Sequence, residues 1–335
     1  MKLHWQTHTY LLKFPFRIAR SVRTQVESVC IELEHDGIVG RGEAVPSARY
    51  GESIESTIAF LQKLDLAEFP SPFYREDILD HADAMAEGNH AAKCAVDLAL
   101  HDWMGKALGR PLHQIWGLNP ARTAPCSYTI GIGTEEEIRH KLEEATDFPI
   151  LKVKLGSEHD RKTMDTIRSL TDKKLYVDVN EGWKTRDLAL ERVRWLRDYG
   201  VLFVEQPMPA AQADDLRWLR DHSELPLMAD ESFIRLRNLP AVAQAFDGIN
   251  IKLMKCTGLR EAQRIIAAAR ALGMKVMLGC MIESSIAISA GAQLSPLVDY
   301  ADLDGNVLIS NDPFDGIRNT AGVLQLNDRP GLGLR

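Results

Sequence analysis

Ile150-Leu-Lys-Val-Lys-Leu-Gly156, Leu175-Tyr-Val-Asp-Val-Asn180 and Val201-Leu-Phe-Val-Glu-Gln-Pro207 are short β-rich runs whose starts lie 25 and 26 residues apart. They belong to a longer series. Ser127-Tyr-Thr-Ile-Gly-Ile-Gly133 precedes them. Pro226-Leu-Met-Ala-Asp-Glu231, Gly248-Ile-Asn-Ile-Lys-Leu-Met254, Lys275-Val-Met-Leu-Gly-Cys280 and Tyr300-Ala-Asp-Leu-Asp304 follow, with starts 22 to 27 residues apart throughout. Helical patterns, such as 185–199 and 259–272, lie between them. One strand, one helix and two short loops fill such a period, and eight units are what a (β/α)8-type barrel requires, each crossover being right-handed. An open doubly wound sheet is the alternative. Eight regular units without a Gly-rich phosphate fingerprint favour the barrel. Little helical sequence follows the last run, and residues 320–335 are expected to return to the first part of the chain.

That first part, residues 1–120, reads differently. Strands are expected at 2–13 and 26–34, with a turn at Asp36-Gly37, and helices at 52–66, 75–86 and 89–108. The last helix is rich in small residues (Ala91, Ala92, Cys94, Ala95, Ala99), which suits close packing. His101 within it reads as structural. Of 335 residues, 45% are apolar and 26% charged, with a net charge of −7. This is ordinary globular composition, without the basic footprint of a nucleic-acid binder. The five cysteines are an odd number, widely scattered and without a Cys-x-x-Cys pair, which points to a reducing cytoplasm rather than a disulfide framework or structural zinc. The N-terminus lacks a signal-peptide core, and no apolar run approaches the ~20 residues of a membrane span. No nucleic-acid or membrane partner is expected. A homo-oligomer stays open.

In such barrels chemistry sits at the carboxyl ends of the strands. There the third run ends in Asp178 and Asn180, the fourth in Glu205, the fifth in Asp230 and Glu231. Asp178, Glu205 and Asp230 close three consecutive apolar runs at one register. Oxygen ligands without His or Cys suit a hard divalent ion, Mg²⁺ with Mn²⁺ as an alternative. Solvated loop acids or helix caps would be the plainer explanation of any one of them.

Lys152 and Lys154 alternate onto one face of the second run, and Lys252 ends the sixth. Strands two and six of an eight-stranded barrel are diametrically opposite. Lys154 and Lys252 are therefore expected to face each other across the mouth, with the acids between them. This layout removes a proton from one face of a carbon and returns it to the other. Lys152 and the ion would lower the base's pKa from the ordinary ~10.4, and the ion would answer the negative charge developing on an enediolate. Lys255 falls off the inward face and reads as a loop charge. Asp302 and Asp304 share one face at the end of strand eight, opposite strand four. Such a pair suits a cationic group such as a substrate α-ammonium.

These residues resemble the enolase superfamily in its muconate-lactonizing-enzyme subgroup, over nearly the whole chain. The resemblance rests on Gly40-Arg-Gly-Glu-Ala44, Ala95-Val-Asp-Leu-Ala99 with Gly105-Lys106, Lys152-x-Lys154, Asp178-x-Asn180, Glu205-Gln-Pro207, Ala229-Asp-Glu-Ser232 and Asn250-Ile-Lys252. It implies an enolase-like α/β fold: a (β/α)7β TIM-like barrel (121–319) under an α+β capping domain (1–120 with tail 320–335). It further implies Mg²⁺ on Asp178, Glu205 and Asp230, with Lys154 and Lys252 as acid/base groups and Asn180 and Glu231 in support. Strand seven lacks the histidine base of the mandelate-racemase subgroup. Asp302-x-Asp304 is similar to the motif by which dipeptide epimerases bind the substrate α-ammonium, the best-known substrate being L-Ala-D/L-Glu of peptidoglycan. A loop with Arg17, Arg20 and Arg23 is expected to close over the site, Arg23 matching the position that holds a glutamate side chain. The resemblance thus implies a dipeptide substrate and two-base 1,1-proton transfer. An o-succinylbenzoate synthase, an N-acylamino-acid racemase or a cycloisomerase shares this fold. A Schiff-base lysine aldolase and an inert binding barrel are the more distant readings.

Overall fold

The computed structural model describes residues 1–18 and 21–335. The chain opens with a three-stranded antiparallel sheet, β1 (Lys2–Ile18), β2 (Ser21–His35) and β3 (Ile38–Ala44). Asp36 and Gly37 both have positive φ, 49° and 73°, as a two-residue hairpin turn requires. Helices α1 (Ile54–Lys63), α2 (Arg75–Met85), α3 (His90–Ala107) and the short α4 (Leu112–Ile115) follow. The small residues expected to pack closely do so. A Cβ on Gly42 would lie 1.9 Å from the Ala95 carbonyl oxygen, and one on Gly40 2.1 Å from that of Ala99. Only glycine lets β3 lie this tightly on α3. His101 is buried, its Nδ1 2.9 Å from the Asp97 carbonyl oxygen and its Nε2 3.0 Å from Arg75 Nη1.

The first two strands run further than expected. The sequence 14–25, with Pro15 and several arginines, reads as a loop. Instead, a register shift between Leu11 and Phe16 is followed by renewed pairing of Phe16 with Arg23 and Ile18 with Ser21. The described residues of this segment form a hairpin arm rather than a loop, and barrel contacts that no local pattern records hold it. Arg17 N–H groups donate to Glu137, and the Ile132 N–H donates to the Arg17 carbonyl at 3.3 Å. Arg20 lies outside the described residues.

The rest of the chain supplies eight parallel strands in sequential order: β4 (Ser127–Ile130), β5 (Ile150–Lys154), β6 (Lys174–Asp178), β7 (Val201–Glu205), β8 (Leu227–Ala229), β9 (Gly248–Lys252), β10 (Lys275–Gly279) and β11 (Tyr300–Asp302). A bridge between Cys126 and Ala301 brings the last strand back to the first. Outside run α5 (Glu135–Glu144), α6 (Asp160–Leu170), α7 (Arg186–Arg197), α8 (Ala213–His222), the short α9 (Leu239–Val242) and α10 (Leu253–Cys256), α11 (Leu259–Ala271) and α12 (Ser285–Leu294). After β11 comes only a small hairpin, β12 (Arg318–Thr320) and β13 (Val323–Gln325). This is the enolase-like barrel of seven βα units and a final strand. Strand alternation fills its floor with Ile150, Tyr176, Phe203, Met228 and Met277. The same alternation carries Lys152, Lys154, Asp178, Glu205, Asn250 and Lys252 inward above that floor. At the C-terminus, the Leu332 N–H donates to Asp102 of α3 at 2.9 Å, and the Leu112 N–H to the Gly331 carbonyl at 3.1 Å. Among the described residues no helix is long and apolar enough to cross a membrane.

Candidate active site

Adjacent strand ends deliver the acids. Asp178 closes β6 and is the register partner of Glu205, which closes β7, while Asp230 follows β8 directly. All three are buried, and one oxygen from each lies within 4.8 Å of the others. The backbone just beyond them is bent into the left-handed region at Asn180 (φ 46°), Glu181 (φ 67°) and Gln206 (φ 36°). Non-glycine residues adopt this region rarely, and here it ends β6 and β7 just past their acids. The Gln206 side chain accepts from the N–H groups of Asp230 and Ser232, both at 3.0 Å, and so fixes one strand end to the next. Asn250 Nδ2 donates to Glu205 Oε1 at 2.7 Å. Glu205 Oε2 is buried without a hydrogen bond, although it lies 2.9 Å from Lys152 Nζ. Burial first, and Asp178 beside it, push Glu205 up to about 7. Three hard oxygen donors crowded so closely fit a divalent cation.

The lysines stand around them. Lys154 Nζ donates to Asp178 Oδ2 at 2.6 Å and Asn180 Oδ1 at 3.1 Å. Lys252 Nζ donates to Asp230 Oδ2 at 2.8 Å. Burial disfavours the Lys252 ammonium, but Asp230, joined by Glu205 and Tyr50, offsets it and holds the group above the ordinary lysine range. β5 and β9 are separated by three strands on either side of the eight-stranded ring, so these two lysines come from opposite walls. Both line one cavity of about 120 Å³, together with Asn180, Lys152, Asp302 and Asp304. Glu231 meets the group from β8: its Oε1 accepts from Asn180 Nδ2 at 3.2 Å.

Two expectations are corrected. Lys255 is not a loop charge. The chain folds back through α10, and the side chain is 1% exposed, with Nζ donating to the Asp230 carbonyl and Oδ1, each at 2.6 Å. Nor does Lys152 stand as a bare positive neighbour to Lys154. Its Nζ lies 2.7 Å from Asp302 Oδ2, 2.9 Å from Glu205 Oε2 and 3.0 Å from Asp178 Oδ2. Burial disfavours that ammonium, yet Asp178, Asp302 and Glu205 hold it well above the usual lysine range. Its charge is committed to carboxylates, and it gives Asp302, but not Asp304, a cation from within the protein.

At the acidic end, Asp302 also accepts from Ser127 Oγ at 2.9 Å, and Asp304 Oδ2 accepts from the Thr129 N–H at 2.9 Å. The hairpin arm roofs the cavity with Phe16, Ile18 and Arg23. Arg17 does not join them: its N–H groups point to Glu137. Asn250 lay two residues before Lys252 on the same face, so alternation alone could have marked it. Lys255 carried no such signal, because its burial depends on the α10 turn.

Comparison with known proteins gives the same fold and a family. Residues 4–117 match the model of the mandelate racemase/muconate lactonizing enzyme N-terminal domain, and residues 134–335 that of the enolase C-terminal domain-like family. The L-Ala-D/L-Glu epimerase of Bacteroides thetaiotaomicron is 49% identical over 100% of this chain and 88% of its own. A solved dipeptide epimerase from Enterococcus faecalis, complexed with Mg and L-Leu-L-Tyr, is 31% identical with a TM-score of 0.93, covering 99% of this chain and 98% of its own. The N-succinyl Arg/Lys racemase of Bacillus cereus gives a TM-score of 0.93 at 30% identity, over 99% of this chain and 94% of its own.

Proposed function

Since the chain belongs to the mandelate racemase/muconate lactonizing enzyme family of the enolase superfamily, we propose that it is a Mg²⁺-dependent dipeptide epimerase. It is an isomerase that inverts the α-carbon of a dipeptide's C-terminal residue, with L-Ala-D/L-Glu as the leading candidate substrate. The observation that carries the reading is the pair Lys154 and Lys252, set on opposite barrel walls and lining one cavity. Each lysine addresses one face of the α-carbon. One, as the free amine, takes the proton; the other, as ammonium, returns one to the opposite face. Asp178, Glu205 and Asp230 would hold one Mg²⁺, with Mn²⁺ as a substitute, and the ion supplies electrostatic stabilisation of the charge that develops on the substrate carboxylate. Asn180 and Glu231 support that set, and Lys152 ties it to the acidic end. Asp302 and Asp304 form the end that receives the dipeptide's amino terminus. Arg23, on the roof, faces the substrate side chain.

The acidic end favours this reading over a racemase of N-acylated amino acids, whose substrates carry no free α-ammonium to it. The carboxylate triad between the lysines favours it over a Schiff-base aldolase. The five cysteines are free thiols, four of them buried, which fits a cytoplasmic enzyme. The test is a screen of dipeptides and N-acylated amino acids in deuterated water with Mg²⁺, read by mass and by chiral chromatography. Dipeptides should gain one deuterium at the C-terminal α-carbon and lose stereochemical purity, and EDTA should stop both. Exchange confined to N-acylated amino acids would refute the proposal.

A further inference from the structure

We infer that residues 46–51 of the capping part form a strap across the metal-ligand half of the barrel mouth, that the Arg49–Glu181 ion pair is its clasp, and that the divalent ion enters and leaves when this clasp opens. Arg49 and Glu181 are positioning residues: they act through the strap, not on the reacting atoms. The inference rests on the metal-dependent reading of the site and deepens it.

The carboxylate triad is sealed from below and from the sides. Asp178, Glu205 and Asp230 are at most 1% exposed. Ile150, Tyr176, Phe203, Met228 and Met277 fill the barrel beneath them, and β6, β7 and β8 are each paired to both neighbours. An ion therefore passes through the mouth. Two segments of the capping part cover it. The hairpin arm lies toward β4, where Ile132 and Glu137 hold it. Residues 46–51 cover the other side. Just before them, the Val45 N–H donates to Met254 Sδ at 3.3 Å, next to the end of β9. Within them, Arg49 Nη2 and Nε donate to Glu181 Oε1 and Oε2 at 2.8 and 3.1 Å, just past the end of β6. β7 and β8, which deliver Glu205 and Asp230, lie between these two contacts. Ser47 of the same segment lines the cavity, as do Asn180 and Lys252.

The strap has fixed ends and an exposed middle. Val45 is buried at one end. At the other, buried Glu52 accepts from the His90 and Ala91 N–H groups at the start of α3, at 2.5 and 3.2 Å. Ala48, Arg49 and Gly51 between them are exposed. Glu181, by contrast, is buried and held by the barrel. Its Oε1 also accepts from the Ala210 N–H at 2.9 Å, and its own N–H donates to the Gln206 carbonyl at 3.0 Å. The clasp thus pairs a rigid carboxylate with a guanidinium whose side chain is 38% exposed. A bidentate arginine–carboxylate contact is directional, yet at this exposure salt screens it.

Arrival and departure of the ion both need the open strap. The clasp therefore sets the two rates together and leaves their ratio, the affinity, nearly unchanged. A residue that merely supported the ligands would change the affinity instead.

The experiment loads the protein with Mn²⁺, adds an excess of a fluorescent chelator and follows release by stopped flow. Mn²⁺ affinity is measured separately by electron paramagnetic resonance. Arg49→Ala should speed release at least fivefold, with affinity within threefold of wild type. Arg49→Lys, which keeps the charge but not the two-pronged contact, should fall between. Glu181→Gln should act in the same direction, and the double variant should release no faster than the faster single one. Added salt should speed release from wild type and not from Arg49→Ala. If Glu181→Gln does not fold, the two Arg49 variants, on an exposed turn, decide the matter alone. The inference is overturned if Arg49→Ala releases Mn²⁺ at the wild-type rate, or if faster release is matched by an equal loss of affinity. A wild-type protein that binds Mn²⁺ but epimerises no dipeptide would refute the substrate reading, while the release rates would still decide the strap. One that binds no divalent ion would overturn both.

Discussion

Asn250 reaches no substrate, yet it decides where Glu205 points. Its Nδ2 holds Glu205 Oε1 at 2.7 Å, deep in the barrel. Asn250→Ala should leave that oxygen unpaired, at a cost of about 1–3 kcal/mol in stability, and weaken metal binding about 10–100-fold, measurable by calorimetric titration. Gly279 belongs to the same arrangement, since a Cβ there would lie 2.4 Å from Asn250 Oδ1. Glu283 shows a different side of burial. Desolvation pushes its carboxyl up to about 8, against one hydrogen bond from the Met281 N–H. The unfolded chain titrates near ~4.3, so between these values the folded state binds more protons than the unfolded one. Stability therefore falls as pH rises through this window and levels off above it. Glu283→Gln should remove that decline: melting temperatures near wild type at pH 5, and a gain of about 2 kcal/mol above pH 8. Parallel curves for the two proteins would show that Glu283 does not titrate this way.

Elements meet across the two parts of the chain through buried acids. Asp97 of α3 accepts from the Leu259 and Arg260 N–H groups at 2.6 and 3.2 Å, and so caps the barrel helix α11 from outside. Glu43 of β3 does the same at α12, accepting from Ser284 and Ala287. Asp97→Ala should cost about 1–2 kcal/mol or more for the lost cap, seen as a lower denaturation midpoint. Gly42→Ala, with its Cβ 1.9 Å from a carbonyl oxygen, should cost about 3 kcal/mol or more by the same measurement. The small-residue helix and the glycine motif were visible in the sequence as a packing signal. The capping was not, because the N-cap position of α11 is Gly258 rather than Ser, Thr, Asp or Asn. The eight strands and their inward acids and lysines were legible because period and register are local. The hairpin arm, Lys255 and the Lys152 hub were not, because long-range contacts hold them in place.

On the scale of the whole molecule, the cavity lies between the barrel mouth and the roof formed by the hairpin arm, with Lys154 and Lys252 on opposite walls and Asp304 at the β11 side, across the ring from Glu205 of β7. Acetylating the amino terminus of a dipeptide substrate should therefore cost at least tenfold in kcat/KM, and equal rates for both forms would remove the case for that acidic end. The central claim is that Lys154 and Lys252 address opposite faces of one carbon. It is tested most directly by deuterium wash-in with Lys154→Ala and Lys252→Ala, each offered the two epimers of one dipeptide separately. Each variant should fail to epimerise and should exchange the α-proton of one epimer only, with the preferred epimer reversed between the two variants. Two variants that exchange the same epimer, or one that still interconverts both at near-normal rate, would contradict the account.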